Sequence, residues 1–247
     1  MGYQIIGNAA EASDVGVILP TYGEAENIAR LIDDIEGLNL NATILVIDDS
    51  SPDGTADIVL SKQKQYSNLL LLNRPRKSGL GTAITDGFKV FLAAAHPPKY
   101  VFTMDADYSH NPQDIPRLLA TMQECECAIV IGSRYSNGGQ IEGWPLTRKI
   151  ISKTANGIAR ALLGLKLRDC TAGFRCYSTR FLKEAISSLH STTYEIQIET
   201  VRQASLRDFP VKETPVLFVN RKQGKSKLAW NEIKSFLTYT LKAVWNS

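Results

Sequence analysis

The sequence contains no apolar run approaching the ~18 residues of a membrane-crossing helix, so no span is expected within it. It does not open on a basic stretch followed by an apolar core, so a secretory leader is not expected either. Low-complexity tracts and internal repeats are missing, which excludes solenoids and makes a disordered chain a poor description. Cysteine is scarce. Cys125, Cys127, Cys170 and Cys176 do not follow paired zinc-ligand spacing, and four in 247 residues are too few for a disulfide scaffold. They are expected to be free thiols in a reducing compartment. A large excess of either charge is missing as well. The net charge of +3 does not by itself argue for nucleic acid.

The distribution of charge says more than its sum. Between Trp144 and Lys183 nine Lys or Arg residues face one acid, Asp169. A second basic cluster follows at Arg221, Lys222, Lys225 and Lys227. Patches of this kind attract phosphate, whether of a nucleotide, a lipid head group or RNA. The first stretch has few interleaved aromatics, which argues against a nucleic-acid-binding module.

Short β-branched runs at Val15–Leu19, Thr43–Ile47, Leu69–Leu72, Tyr100–Met104 and Ala128–Ile131 predict strands. Helical spacing separates them: Ile28, Leu31, Ile32 and Ile35 stopped by Gly37, then Gly79–Ala95, then a helix opened by Asn111-Pro112. Further helices are expected over Trp144–Leu165 and Tyr194–Ser205, and a late strand over Val216–Val219. Alternation of this kind, with almost wholly apolar strands, predicts an α/β fold: a mainly parallel sheet with helices on both faces. Ligands of such sheets bind beyond the carboxyl ends of the strands. The polar residues concentrate there, in Pro20-Thr21-Tyr22-Gly23-Glu24, Asp48-Asp49-Ser50-Ser51-Pro52-Asp53-Gly54, Asp105-Ala106-Asp107 and Gly132-Ser133-Arg134-Tyr135.

Two acids one residue apart at the end of a buried strand carry a desolvation cost that a cation relieves. A divalent metal shared between Asp105-Ala106-Asp107 and two phosphates would do so. Asp49, beside Asp48, reads as a contact to a nucleobase or ribose, whereas Asp53 reads equally as a helix cap. Glu24 is either a first-turn acid favoured by the helix dipole or a nucleotide ligand.

Together, Leu19-Pro20-Thr21-Tyr22-x-Glu24-x-Glu26-Asn27, Asp48-Asp49-x-Ser51-Pro52-Asp53-Gly54-Thr55, Gly79-Leu80-Gly81-Thr82-Ala83 and Asp105-Ala106-Asp107 resemble a family 2 glycosyltransferase of the GT-A (Rossmann-like) fold. Later segments narrow the resemblance to the dolichol-phosphate (polyprenyl-phosphate) mannosyltransferases. They are Gly132-Ser133-Arg134-Tyr135, Trp144-x-x-x-Arg148-Lys149-Ile150-Ile151-Ser152, Asp169-Cys170-Thr171-Ala172-Gly173-Phe174-Arg175 and Arg221-x-x-Gly224-x-Ser226-Lys227-Leu228. The likeness runs from about Val15 to about Leu241.

The resemblance implies transfer of mannose from GDP-mannose to dolichyl or polyprenyl phosphate, with inversion and with Mg²⁺ or Mn²⁺. Pro20, Tyr22 and Glu24 would hold the nucleotide, with Ile47 and Asp49 around base and ribose. Asp105, Ala106 and Asp107 would line the pyrophosphate and sugar, and Asp107 would bind the metal. Ser109 stands where related sequences carry Gln, so it is a weaker metal candidate. Arg134 and Arg148 would face the acceptor phosphate, and Arg221 and Lys227 would close over the donor phosphates. The same fold could instead use UDP-glucose or another UDP-sugar. A non-catalytic nucleotide-sugar-binding protein is the alternative of another class.

The expected organisation is an N-terminal extension over 1–14, a catalytic domain over 15–227 and an amphipathic helix over 228–247. The apolar stripe of that helix either packs on the core or docks on a membrane surface. Lys149, Lys153 and Arg160 are either a solvated face or contacts to anionic lipid. Peripheral membrane contact or a membrane anchor subunit is expected. The location expected is the cytoplasmic face of the cell membrane or endoplasmic reticulum.

Overall fold

The apolar runs become the centre of one sheet because both of their faces are covered. The computed structural model describes residues 4–7, 12–220 and 239. In chain order the strands are β1 (Gln4–Ile6), β2 (Val15–Thr21), β3 (Ala42–Asp48), β4 (Leu69–Asn73), β5 (Tyr100–Thr103), β6 (Ile129–Ser133), β7 (Gln140–Glu142), β8 (Arg175–Ser178), β9 (Val211–Pro215) and β10 (Leu217–Val219). The helices are α1 (Ala25–Glu36), α2 (Thr55–Lys62), α3 (Leu80–Leu92), α4 (Ile115–Cys125), α5 (Leu146–Leu163), α6 (Thr179–Ala185) and α7 (Ile196–Ser205). Eight strands form one sheet in the order β1-β4-β3-β2-β5-β8-β6-β9, and β10 pairs with β7 in a second, two-stranded sheet.

Strand β3 shows how the two-residue period builds both cores. Leu45 and Ile47 face Phe88 and Phe91 of α3, in a cluster that α6 and α7 complete. Ile44 and Val46 face the opposite cluster, with Ile28, Leu31, Ile32 and Ile35 of α1 and Ile115, Leu118 and Met122 of α4. All seven residues of β3 are buried, as a strand covered on both faces requires.

The chain runs from β2 outward through β3 and β4, then returns to place β5 on the other side of β2. The sheet order therefore reverses between β2 and β5, the position where ligands of such folds bind. The two strands pair only from Val15↔Tyr100 to Ile18↔Thr103, and Met104 N donates to Ile18 O just beyond. Pro20 follows two residues later and points to the same side. Its missing N–H costs nothing, because β5 has already diverged there.

Two elements depart from a simple parallel reading. Strand β8 is antiparallel to both β5 and β6. It inserts between them because the preceding turn brings the chain back across the carboxyl edge of the sheet. The late strand expected over Val216–Val219 is β10, which pairs with β7, and just before it β9 continues the large sheet beside β6. Strand β9 (Val-Lys-Glu-Thr-Pro) escaped notice because it is a half-exposed edge strand without an apolar run. At the other edge, Gln4–Ile6 adds antiparallel to β4. The residues expected to form the C-terminal helix lie outside the described residues, Tyr239 apart.

The expectation of four free thiols needs correction. Cys125 and Cys127 are joined in a disulfide, their Cα atoms 5.2 Å apart. The cause is local: Glu126 takes left-handed backbone angles (φ 47°, ψ 35°), ends α4 and turns the flanking side chains together. Cys170 and Cys176 are free and buried. Burial pushes the Cys170 thiol up to about 12 and raises Cys176 as well. In denaturant without reductant, a thiol reagent is expected to find two thiols per chain, from Cys170 and Cys176. Four would contradict the disulfide.

Candidate active site

The first wall of the cleft is the turn after β3. Asp48 is fully buried and accepts from Thr21 Oγ1 (2.9 Å), Ser51 N (2.8 Å) and Ser51 Oγ (2.5 Å). It thereby ties the end of β2 to the loop that follows β3. Asp53 joins two helix starts: it accepts from Ala25 N at the head of α1 and from Thr55 N and Oγ1 at the head of α2. Burial works to raise its pKa, but these donors hold it below the usual carboxylate range. The cap reading of Asp53 thus extends to a neighbouring helix. Glu24 stands at the N-cap position of α1, its carboxylate accepting from Asn27 Nδ2 (3.0 Å). Tyr22 lies at the rim with Lys77 Nζ 4.1 Å from its ring centre, and Ile47 is wholly buried one residue before Asp48.

Asp49 has a partner that sequence reading did not identify. Arg74, just after β4 and 1% exposed, donates from Nε and Nη2 to the two Asp49 oxygens at 2.5 and 2.8 Å. Its Nη1 reaches Thr82 Oγ1 (2.9 Å) and Asp86 Oδ2 (3.2 Å) on α3. Ser78 N also donates to Asp49. The carboxylate expected at the base or ribose is therefore engaged in holding β3, the 74–79 turn and α3 in register. The glycines of the 79–83 motif serve the same packing. Gly79 has φ 99°, and a Cβ there would lie 2.3 Å from the Thr192 carbonyl oxygen. Only glycine admits the 191–193 segment so close.

The Asp105-Ala106-Asp107 turn leaves β5 at the point of divergence. Both acids are half-buried, Ala106 is buried, and Ser109 N closes the turn by donating to Asp107 Oδ1 (3.0 Å). The Ser109 hydroxyl is buried and unpaired among the described residues. Gly173 stands opposite: a Cβ there would lie 3.6 Å from Asp105 Oδ1 and 3.7 Å from Gln197 Nε2. His110 was not identified from sequence; its place three residues after Asp107 was the available signal. It is 2% exposed and packs against Phe174 and Phe218, with ring centres 5.4 and 5.2 Å apart. Burial lowers its pKa to about 4, against the opposing charge of Asp107, so the imidazole is neutral at pH 7.

The second wall exists because β8 is antiparallel: its leading turn, Asp169–Phe174, lies at the carboxyl ends of β5 and β6. Gly132 N bonds Phe174 O, and Thr103 Oγ1 bonds Gly173 O. Asp169, fully buried, accepts from Arg134 N, Nε and Nη2 at 3.1, 2.7 and 2.8 Å, and from Thr171 N and Ala172 N. Burial opposes both charges, yet the pairing holds Asp169 below the usual carboxylate range and raises Arg134. Glu213 on β9 supports the turn, accepting from Ser133 Oγ, Arg168 N and Asp169 N. Arg175 is fully buried and binds Ala172 O, Cys170 O, Gln197 O and Thr200 Oγ1.

Trp144 gathers the arginines. The Arg134 guanidinium lies 5.4 Å and that of Arg148 4.1 Å from its ring centre, while Phe218 meets its edge at 5.2 Å. Arg148 also donates to Asn220 Oδ1 (3.2 Å). The structure thus brings Pro20, Tyr22, Glu24, Asp49, Asp105, Ala106, Asp107, Arg134 and Arg148 to one sheet edge. Arg221 and Lys227 lie outside the described residues.

A metal fits the donors in one specific way. No group of three His, Cys, Asp or Glu side chains able to hold a metal occurs among the described residues. Two half-buried carboxylates suit a hard cation such as Mg²⁺ or Mn²⁺ that arrives with phosphates, rather than a cage built by protein alone.

The family model for glycosyl transferase family 2 matches residues 16–186. A polyprenol monophosphomannose synthase of Mycolicibacterium smegmatis is 36% identical over 223 residues, covering 88% of this chain and 82% of that protein. An undecaprenyl-phosphate mannosyltransferase of Micrococcus luteus is 34% identical over 213 residues, covering 86% of each. Among solved structures, glucosyl-3-phosphoglycerate synthase of Mycobacterium tuberculosis, with Mn²⁺, UDP and glucosyl-3-phosphoglycerate, matches with a TM-score of 0.65 at 19% identity, over 94% of this chain and 80% of that one. A mannosyltransferase of Pyrobaculum calidifontis in complex with GDP-Man and Mn²⁺ matches with a TM-score of 0.62 at 13% identity, over 98% of this chain and 68% of that one. The structural likenesses establish the GT-A fold. The chain belongs to glycosyltransferase family 2 and is a glycosyltransferase.

Removing Arg74 would leave Asp49 and Asp86 buried and uncompensated. Arg74→Met is expected to lower unfolding stability by about 3–5 kcal/mol, against under ~1 kcal/mol for Arg30→Met at an exposed pair. Urea titration checks this. Equal, small effects would show that the buried network does not hold the turn.

Proposed function

We propose that this glycosyltransferase moves mannose from GDP-mannose to the phosphate of a polyprenyl lipid such as dolichyl phosphate, with inversion at the sugar. The observation that carries the reading is the division of charge along one sheet edge. Asp105 and Asp107 leave β5 on one side, and Arg134 and Arg148 gather at Trp144 on the other. The two relatives named for mannose transfer to polyprenyl acceptors support the choice of substrates. The likeness to a protein that binds GDP-Man and Mn²⁺ supports donor and metal only through the shared fold.

The chemistry asks little of a base. A phosphate monoester has a second pKa near 6, so the acceptor is already largely a dianion at neutral pH. One acceptor oxygen bonds to the anomeric carbon as the bond from that carbon to the GDP phosphate breaks. In-line attack converts an α-linked donor into a β-linked lipid phosphate sugar. Holding two anions in that line is what the chain must do. Arg148 approaches the acceptor phosphate, held by Trp144 and Asn220. Arg134, with Nε and Nη2 committed to Asp169 and Thr171, acts chiefly by orienting the turn and shaping the local field. Asp105 and Asp107 would hold Mg²⁺ or Mn²⁺, with Ser109 closing the turn behind Asp107. When bound there, the metal would supply positive charge for the departing diphosphate. Pro20, Tyr22 and Glu24 line the nucleotide end. Residues 15–227 form the catalytic unit, and its work is done at the cytoplasmic face of a membrane.

Radiolabelled transfer into polyprenyl phosphate, compared across GDP-mannose, UDP-glucose and UDP-N-acetylglucosamine, tests the reading. Label is expected in the lipid phase from GDP-mannose alone; preference for a UDP-sugar would overturn the donor. Asp107→Ala is expected to lower transfer by 10²-fold or more, on the order of losing one preorganised charge-stabilising contact. Activity that survives both this change and a chelator would remove the metal from the account. Arg148→Ala should raise the acceptor KM more than the donor KM, and an unchanged acceptor KM would place Arg148 outside the acceptor site.

A further inference from the structure

Tyr108 follows the Asp105-Ala106-Asp107 turn in a backbone conformation that its side chain disfavours. Its φ is 57°, in the left-handed region where a bulky residue is an outlier. That conformation reverses the chain. Ser109 N returns to Asp107 Oδ1 (3.0 Å), and Ser109 O accepts from Val219 N (3.0 Å) of β10. Strain of this kind persists only where the surrounding structure holds it, and it gathers at ligand clamps. Packing alone does not hold Tyr108, because its side chain is half-buried and lines a cavity of about 690 Å³.

The remaining hold comes from α1. The Tyr108 hydroxyl donates to Asp34 Oδ2 at 2.6 Å, and the Arg30 guanidinium lies 5.0 Å from the ring centre. Arg30 and Asp34 stand one helical turn apart, with Arg30 Nε 3.7 Å from the same Oδ2. Ile28, Leu31, Ile32 and Ile35 fix the other side of α1 in the core, so Asp34 is a firm anchor. The preceding residue makes a matching contact elsewhere. Asp33 accepts from the Tyr66 hydroxyl at 2.9 Å, with Lys62 Nζ 5.8 Å from that ring centre. Tyr66 lies before β4, at the amino edge of the sheet and away from the cleft.

We infer that Tyr108 and Asp34 are positioning residues for donor binding: their hydrogen bond, braced by Arg30, holds the strained turn so that Asp107 is presented to a divalent cation carrying a nucleoside diphosphate. The inference rests on the roles proposed for Asp107 and the metal. Both residues act through the backbone from Asp107 to Ser109. Without the clamp the turn relaxes, fewer molecules hold Asp107 ready, and apparent affinity falls with that fraction. Helix α1 then serves the donor site twice, with Glu24 at its head and Asp34 near its end.

Two measurements on the full chain test this. The first needs no ligand: amide hydrogen exchange at Ser109 and Val219. Tyr108→Phe and Asp34→Ala are each expected to speed it about tenfold, the scale of one hydrogen bond to a charged group. Asp34→Asn keeps an acceptor for the phenol and is expected to lose less than Asp34→Ala. The second is calorimetric binding of Mn²⁺ in the presence of GDP. Tyr108→Phe is expected to weaken it roughly tenfold and to leave the acceptor KM unmoved. Tyr66→Phe removes the matching hydroxyl at the far edge and is expected to change neither measurement. Unaltered exchange in Tyr108→Phe, or equal weakening by Tyr66→Phe, would overturn the inference. So would faster exchange with Mn²⁺ affinity unmoved, since the clamp would then serve stability alone. Wild type that takes up no Mn²⁺ beside GDP would overturn the metal of the proposed reaction, whereas faster exchange in the same variants would leave the clamp on the turn standing.

Discussion

The site depends on a carboxylate that never reaches solvent. Asp169 gathers three donors from Arg134 and two backbone N–H groups from its own turn. Taking such a pair out of water costs several kcal/mol per ion, and the cost is met only when geometry is good and the remaining lone pairs are used. Both conditions hold here. Glu213 fixes the backbone on either side, from Ser133 to Asp169, and Arg175 ties the far end of the same turn to α7. The result is a rigid second wall built from a strand running against its neighbours. Without the reversed direction of β8, the turn would lie at the wrong edge of the sheet.

The opposite wall repeats the logic with different residues. Arg74 shares its guanidinium between Asp49 and Asp86 and locks the loops after β3 and β4 to α3. Buried ion pairs thus hold both margins of the cleft, while half-buried acids at Asp105 and Asp107 and the Arg148 guanidinium remain near its surface. Groups that keep partial contact with water are the ones able to exchange it for a ligand. That division, fixed pairs behind and half-exposed charges in front, underlies the roles proposed for each residue.

Much of the scaffold was legible in the sequence because the central strands are apolar on both faces and their ends are not. Val15–Leu19, Thr43–Ile47 and Leu69–Leu72 became strands with ends moved by no more than two residues, and the acidic ends fell on one edge as a parallel sheet demands. Charge partners were not legible. Nothing local in Arg74 announces that it meets Asp49 across 25 residues, nor that Arg134 meets Asp169 across 35. The resemblance placed Arg134 toward the acceptor phosphate, but a base in a motif looks the same whether or not an acid is folded against it, so its pairing with Asp169 had to come from the fold. The disulfide between Cys125 and Cys127 depends on one left-handed residue, Glu126, a conformation that sequence reading does not assign to Glu. Helix α5 was legible as a helix over Trp144–Leu165, but that Asn156 and Ala159 face the protein needed the fold.

The central claim is that the lipid phosphate itself displaces the nucleotide at the sugar, with no sugar bound to the protein in between. The most direct measurement is NMR of the purified lipid product made from GDP-mannose and polyprenyl phosphate, reading the anomeric one-bond carbon–hydrogen coupling and the phosphodiester phosphorus. The account predicts a β-linked mannosyl phosphate lipid as the sole product. An α-linked product, or mannose attached anywhere but the lipid phosphate, would contradict it.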